Sequence, residues 1–136
     1  MTPEADGIEK VVAAFFAAFS NANGSAPVDT LYEICLPKAV IVNVTNTEPA
    51  IYSLEQFIEP RRTLLSSGSL IDFREYEVSA ETAVHGPIAQ RTSRYEKSWT
   101  ENGVANHGAG TKVFSFVLTP GGWKIASVLW HDRPDP

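Results

Sequence analysis

Apolar residues recur every three or four positions near the start of the chain, which is the period of an amphipathic α-helix. Asp6 is suited to cap this helix, with Glu9 three residues later as in a capping box, and Asn23-Gly24 is suited to end it. Pro27 and the apolar spacing after it predict a second, shorter helix that stops before Pro37. The apolar positions of the first helix are Ile8, Val11, Val12, Phe15, Phe16 and Phe19.

The middle of the chain changes from a helical to an extended pattern and back. Residues 39–45 form an almost continuous β-branched run with Asn43 as the polar exception, which predicts a strand covered on both faces. Ser53 is suited to cap a third helix that ends at Gly68. Pro60 lies inside that segment and should kink or divide the helix.

From Leu70 onward the hydrophobic period is two, which is typical of strands. Asn102-Gly103 is the strongest turn signal, because both residues accept the positive φ of a type I′ hairpin turn. Turn residues divide this segment into predicted strands at roughly 70–82, 87–101, 104–119 and 122–131, the last three forming an antiparallel meander. Helices first and strands last predict one α+β domain over residues 1–136, with N-terminal helices packed on a mainly antiparallel sheet.

Composition narrows the class of protein. The 136 residues are 43% hydrophobic and 20% charged, as in a folded domain with one core. The formal charge of -5 and the lack of a basic run argue against a nucleic-acid partner. Cys35 is the only cysteine, so no internal disulfide is expected and a reducing cytoplasm fits best. No apolar run approaches the roughly 20 residues of a membrane helix, so no membrane association is expected.

The order of elements resembles the nuclear transport factor 2-like superfamily, in particular its SnoaL-like polyketide cyclase and ketosteroid isomerase branches, along essentially the whole chain. The resemblance is carried by residues 37–43 in the first strand, 110–116 in the penultimate strand and 122–126 in the last. It implies a cone-shaped, cystatin-like domain whose helices and strongly curved, concave sheet face enclose a pocket. It also implies a homodimer formed through the outer sheet face. Many reactions share this fold, so function has to be argued from the site.

Steroid isomerisation is not expected, because the isomerase branch needs a base and two oxyanion donors. The matching positions in this chain are Asn43 for the base and Phe15 or Phe16 and Phe114 for the donors. An amide does not accept the proton, and a phenyl ring does not donate one.

Three other polar residues are candidate catalytic groups. His107 can serve as a general base, or it is an exposed histidine near a strand end. Alternation places Arg91 and Tyr95 on one face of their strand, where they can bind a carboxylate or carbonyl oxygen. The alternative is a half-solvated face on which an arginine pairs with Glu75 or Glu77.

Three functions are compatible with these residues. The first is a pocket for a small apolar or aromatic molecule. The second is an enzyme of the cyclase, dehydratase or hydrolase type with His107 as base, and the third is a dimeric partner-binding module. The predicted ligand-binding residues are Phe15, Phe16, Tyr32, Asn43, Phe57 and Trp130.

No cofactor is predicted, and no metal site is predicted either. The acidic and histidine side chains lack the close spacing of known metal motifs. The end of the chain, residues 132–136, is predicted to be frayed. The acids and histidines considered for a metal are Asp72, Glu75, Glu77, His85, His107 and His131.

Overall fold

The computed structural model describes residues 3–22 and 24–133 of the chain. Helices at the N-terminal end pack on one six-stranded sheet, which confirms the predicted α+β class. The strand order is β2-β1-β6-β5-β4-β3, in which β1 runs parallel to β6 and all other neighbours are antiparallel. The elements are α1 (Pro3–Ala17), α2 (Thr30–Ile34), β1 (Cys35–Asn43), β2 (Ala50–Ser53), α3 (Leu54–Ser66), β3 (Ile71–His85), β4 (Ile88–Glu101), β5 (Val104–Thr119) and β6 (Gly122–Arg133).

The first two helices have other bounds than the pattern predicted. Helix α1 begins at Pro3, where a proline costs no helical hydrogen bond, so Asp6 lies within the helix instead of capping it. The predicted end at Asn23-Gly24 lies beyond the last helical residue, Ala17, and Asn23 itself is outside the described residues. Helix α2 has only five residues, because a turn at residues 28–29 precedes it and β1 begins directly after it at Cys35.

Strand β1 starts earlier than the apolar run indicated, and it passes through Pro37. Its parallel pairing with β6 is shifted between Cys35 and Val40, so the missing N–H of Pro37 lies in an irregular stretch of the ladder. The four-residue strand β2 pairs antiparallel with Val40–Asn43, and the sequence pattern did not predict it.

Helix α3 has the predicted start. Ser53 and Gln56 form a capping box, with the Gln56 N–H donating to Ser53 Oγ at 3.2 Å and the Ser53 N–H donating to Gln56 Oε1 at 2.9 Å. Pro60 does not divide the helix, which is continuous over Leu54–Ser66. Buried apolar side chains hold α3 on the sheet and offset the hydrogen bond that Pro60 removes.

Strands β3 to β6 form a four-stranded meander. Asn102 and Gly103 have φ values of 53° and 76°, which confirms the predicted turn. Strand β6 extends to Arg133, so the prediction that the end frays from Asp132 is wrong for its first two residues. Their backbone is held by pairing with β5, in which Asp132 lies opposite Gly110. Residues 134–136 lie outside the described part.

The core fills one end of the helix-covered face of the sheet. The ring of Phe15 on α1 packs edge-on against Phe114 of β5, with ring centroids 5.0 Å apart. Phe16 and Ile8 on the same helix are also buried. No helix within the described ranges is long and apolar enough to cross a membrane.

Candidate functional site

The other end of the helix-covered face contains a cavity of about 280 Å³. This volume is close to the lower end of ligand pockets, which is roughly 300 Å³. Leu64 and Glu101 are exposed and mark its open side. The apolar lining residues are Phe19, Phe57, Leu64, Leu65, Leu70, Phe73, Trp99 and Trp130. The polar lining residues are Asn43, Arg61, Glu75, Lys97, Glu101, Lys112 and Asp132.

Asn21 ties together three segments that form the wall of the cavity. Its side-chain amide donates to the carbonyl oxygens of Leu65 at 3.1 Å and Leu70 at 2.8 Å. Its Oδ1 accepts from the backbone N–H of Phe73 at 2.6 Å. The end of α3 and the start of β3 are therefore held against the segment that follows α1.

The floor of the cavity contains a buried ion pair between β5 and β3. Lys112 is two residues before Phe114, so the alternation of β5 turns it toward the helices. Its Nζ lies 2.8 Å from Glu75 Oε1, and the two side chains are only 7% and 9% exposed. Among the described residues, Glu75 Oε1 accepts no hydrogen bond of good geometry, so the contact is ionic without being a directed bond. The Tyr95 ring lies beneath the ammonium, with its centroid 4.1 Å from Nζ.

Burial lowers the pKa of Lys112, because an ammonium removed from water loses its solvation. The charge of Glu75 acts in the opposite direction and does not cancel the effect of burial. Lys112 is therefore a lysine whose neutral amine form is easier to reach than that of a surface lysine.

Asp132 on β6 is the second carboxylate of the floor. The Tyr95 hydroxyl donates to its Oδ1, and Lys97 Nζ donates to the same oxygen at 3.1 Å. Burial alone would raise the pKa of Asp132, but the hydrogen bond from Tyr95 and the nearby lysines lower it below its usual range. Burial and the hydrogen bond to Asp132 raise the pKa of Tyr95. The site thus combines an ionised carboxylate with a protonated phenol.

Glycines on β5 make this arrangement possible. Tyr95 lies opposite Gly110, which lies opposite Asp132, so the tyrosine side chain crosses the glycine to reach β6. A Cβ on Gly110 would lie 2.7 Å from Tyr95 Cζ and closer still to the hydroxyl oxygen. Gly108 lies opposite Lys97, and a Cβ there would meet Lys97 Cε at 3.0 Å. Two side chains of β4 can therefore span β5 because the intervening residues have no side chain.

Arg61 on α3 places a further cation against the aromatic wall. Its Cζ lies 3.7 Å from the centroid of the Phe57 ring and 5.6 Å from that of Trp130. Burial lowers the pKa of Arg61, and its NH1 group donates to the Phe57 carbonyl at 3.1 Å. The formal charges of the lining cancel, since three basic residues face three acidic ones.

The structure brings three of the predicted ligand-binding residues to the cavity, namely Asn43, Phe57 and Trp130. Phe15 and Phe16 are instead part of the packed core, because the aromatic face of α1 packs on Phe114. Tyr32 is 44% exposed and is not part of the cavity lining.

The predicted catalytic residues are separated. Tyr95 is 1% exposed, and its contact with the site is the hydrogen bond that its hydroxyl donates to Asp132. Arg91 is buried away from the cavity, where it bonds to Glu77 at 3.0 Å and to Glu9 at 2.7 Å. That is the arginine–glutamate pairing given above as the alternative to ligand binding.

His107 does not contribute to the cavity. It is exposed and lies opposite Ser98, on the face of the sheet away from the helices. Side chains alternate between the two faces along a strand, and His107 is an odd number of residues from Lys112. The two side chains therefore lie on opposite faces of the sheet. The prediction of His107 as the base of the pocket is therefore not supported by its position.

Sequence reasoning missed Lys112, Lys97 and Asp132 as site residues, and it considered Glu75 only for an ion pair or a metal. The sequence did contain an indication of their position. Each of the four lies two residues from an aromatic residue in the same strand, so alternation places both side chains on the same face. Glu75 follows Phe73, Lys97 follows Tyr95, Lys112 precedes Phe114 and Asp132 follows Trp130. Within the described part of the chain, no three His, Cys, Asp or Glu residues gather as ligands for a metal ion.

Comparison with known proteins supports the fold. No protein-family model matches the sequence, and no curated protein does. A proposed aromatic ring hydroxylase from Novosphingobium aromaticivorans is similar with a TM-score of 0.79 at 14% identity, over 99% of this chain and 94% of that chain. A nuclear transport factor 2-like superfamily protein from Salmonella enterica is similar with a TM-score of 0.75 at 14% identity, over 96% and 91% of the two chains.

A third structure is a nuclear transport factor 2-like protein with a cystatin-like fold from Novosphingobium aromaticivorans. It has a TM-score of 0.72 at 14% identity and covers 94% of this chain and 80% of its own. These likenesses confirm the resemblance to nuclear transport factor 2-like proteins at the level of the fold. The SnoaL-like and isomerase branches stay a prediction.

Proposed function

Starting from a chain with the nuclear transport factor 2-like fold, we propose that this domain binds a small, uncharged, mainly aromatic molecule in the cavity above Lys112. The observation that carries the proposal is an aromatic cavity of about 280 Å³ whose floor holds a buried lysine–glutamate pair. Apolar walls with a few convergent polar groups are the usual form of a small-molecule site. The cancelling charges of the lining favour a ligand with a carbonyl or hydroxyl group over an ion.

The three tryptophans provide a test with an internal control. Trp99 and Trp130 line the cavity, whereas the buried Trp123 does not. The indole N–H resonances, assigned by single Trp→Phe variants, are followed by NMR during titration with phenol, benzyl alcohol and acetophenone. We expect shifts at Trp99 and Trp130 with Trp123 unchanged.

Matched variants and a native ligand complete the test. Phe57→Ala should weaken binding, whereas Tyr32→Ala, which removes an aromatic ring outside the cavity, should not. Native mass spectrometry of protein purified from its own host shows whether a small molecule copurifies. The proposal fails if no compound shifts the cavity tryptophans and no adduct copurifies.

A second candidate is an acid–base enzyme that acts on the bound molecule, with Asp132 as base in place of His107. It is favoured by the position of Asp132, whose carboxylate lines the cavity and is kept ionised by the Tyr95 hydroxyl and the nearby lysines, so that it can accept a proton. The matching reaction class is removal of a proton next to a carbonyl, as in isomerases, cyclases and dehydratases. Exchange of the methyl protons of acetophenone in D2O tests this. Asp132→Asn should abolish catalysed exchange and His107→Ala should not, and equal rates in both variants would exclude Asp132 as the base.

We also propose that the outer face of the sheet joins two copies of the chain. Val40, Leu129 and Val78 are 43%, 44% and 55% exposed on that face. Val40 on β1 and Leu129 on β6 lie on neighbouring strands, and a contiguous exposed apolar patch favours association. Sedimentation of Leu129→Glu, compared with the wild type, tests the proposal, and a monomeric wild type would reject it.

The cytoplasm is the compartment that we propose. Burial raises the pKa of the Cys35 thiol to about 12, so the only cysteine is an unreactive group without an intrachain partner. Such a chain has no need of an oxidising compartment. Subcellular fractionation of the host would contradict this assignment if it placed the protein outside the cytoplasm.

A further inference from the structure

We propose that Lys112 forms an imine with the carbonyl carbon of a small aromatic aldehyde or ketone bound in the cavity. This inference rests on the proposed binding function. It adds the class of ligand and a covalent step that uses a residue of the floor.

The position of Lys112 is the first argument. Its side chain is 7% exposed and still lines the cavity, so a bound molecule meets an amine that the protein largely shields from solvent. Aromatic rings surround Nζ, with centroids at 4.1 Å for Tyr95 and 5.2 Å for Trp130. A planar aromatic carbonyl compound fits such walls.

The second argument is the cost of keeping this lysine. Two charges buried together add little to stability compared with apolar residues of similar volume. A buried lysine with a lowered pKa that lines a cavity is, however, the arrangement that amine catalysis needs. Burial lowers the pKa of Lys112 by more than Glu75 raises it, which favours the nucleophilic amine.

Glu75 supplies the proton transfers. Its Oε1 lies 2.8 Å from Lys112 Nζ, which is within reach for a proton transfer. Glu75 can therefore take a proton from the ammonium and return it later. Lys97 differs, because its ammonium is more exposed and donates to Asp132.

The reaction balances without an oxidant or reductant. Glu75 takes one proton from the Lys112 ammonium, and the nitrogen lone pair forms a bond to the carbonyl carbon. The carbonyl π pair moves to oxygen, which receives the proton from Glu75. The nitrogen then loses a second proton to Glu75, and the hydroxyl takes that proton. The nitrogen lone pair forms a double bond to carbon as the C–O bond breaks and water leaves. The products are one protonated imine and one water.

Reductive trapping tests this step on the whole chain. Protein at pH 7 is incubated with benzaldehyde and sodium cyanoborohydride, and the modified lysine is located by peptide mass mapping. Lys112→Met and Lys112→Met/Glu75→Leu remove the amine, the second without leaving an unpaired buried carboxylate. Lys124→Met is the control, since Lys124 is a lysine outside the cavity whose Nζ donates to the Glu33 carbonyl at 2.6 Å.

We expect one benzyl group per chain on Lys112, with loss of this adduct in both Lys112 variants and its retention in Lys124→Met. Excess benzyl alcohol, which has the ring without the carbonyl, should suppress the labelling. The inference is overturned if Lys112 is labelled no more than the surface lysines. If benzyl alcohol still shifts Trp99 and Trp130 in that case, the binding function stands and only the imine is rejected. If none of the titrated compounds shifts them and no adduct copurifies, both proposals fail.

Discussion

Replacing Lys112 by methionine removes one partner of an ion pair that burial isolates from water. The two side chains are 7% and 9% exposed, and Glu75 has no other basic residue in an ion-pair contact within the described part of the chain. Loss of one partner from a buried pair typically costs about 3–5 kcal/mol, because the remaining charge is neither solvated nor paired. We expect Lys112→Met to lower the free energy of unfolding by that amount at pH 7.

The double variant Lys112→Met/Glu75→Leu separates charge from packing. Replacing both members of a buried pair by apolar residues is often neutral or stabilising. The double variant should therefore be more stable than Lys112→Met. Urea unfolding followed by tryptophan fluorescence gives the free energies of unfolding of the wild type, Lys112→Met, Glu75→Leu and the double variant. A coupling energy within about 0.5 kcal/mol of zero would refute the buried pair, since independent sites add to that extent.

The pH dependence gives a second readout of the same prediction. The pKa of Lys112 in the folded chain is below its ordinary value of 10.5. Between the two values the unfolded chain binds more protons than the folded chain, so the contribution of Lys112 to stability rises with pH. That rise should be missing in Lys112→Met. An identical alkaline profile in both proteins would contradict the direction of the shift.

Three further changes test the surrounding site. Tyr95→Phe should cost about 1.5–3 kcal/mol at pH 7, as for other hydrogen bonds to charged groups. The pKa of Asp132 is lower in the folded chain than in the unfolded chain. This stabilisation is therefore complete above the pKa that Asp132 has in the unfolded chain, and it is lost as the pH falls through the pKa that Asp132 has in the folded chain. Urea unfolding at neutral and acid pH should show the gap to wild type closing, and a constant gap would contradict the assignment. Asn21→Ala removes three hydrogen bonds between segments and should lower the free energy of unfolding by about 2–4 kcal/mol in the same assay. A loss of less than about 0.5 kcal/mol would argue against the role of Asn21 in holding these segments together. Gly110→Ala should cost about 1–3 kcal/mol through overpacking, and more than Gly108→Ala, whose Cβ meets the flexible end of a lysine. A larger loss of thermal stability in Gly108→Ala than in Gly110→Ala would contradict the finding that the Tyr95 side chain crosses β5 at Gly110.

Most of the fold could be predicted from local periodicity. The strands of the meander were expected within a few residues of their observed bounds, and the turn at Asn102-Gly103 follows from the φ angles that these residues accept. Strand β2 could not be predicted this way, because four residues with mixed polarity have no reliable period. It forms because β1 offers an edge for pairing.

The site was less predictable than the fold. Asn43, Phe57 and Trp130 were expected in the pocket and line it. Phe15 and Phe16 were also expected there, but they pack in the hydrophobic core. An aromatic helix face does not indicate whether the rings close a cavity or fill it, because that depends on how the helix sits over the sheet.

The sequence by itself determined which residues share a face of each strand, and alternation alone places Lys112 in phase with Phe114 and His107 out of phase with both. Only the tertiary structure decided which face is covered by helices and which strands are neighbours. Glu75 meets Lys112 across β4, and Asp132 receives Tyr95 across a glycine of β5, through pairings between segments far apart in the chain. Period is a local property of the backbone, whereas register and burial arise from contacts that form when the whole chain packs.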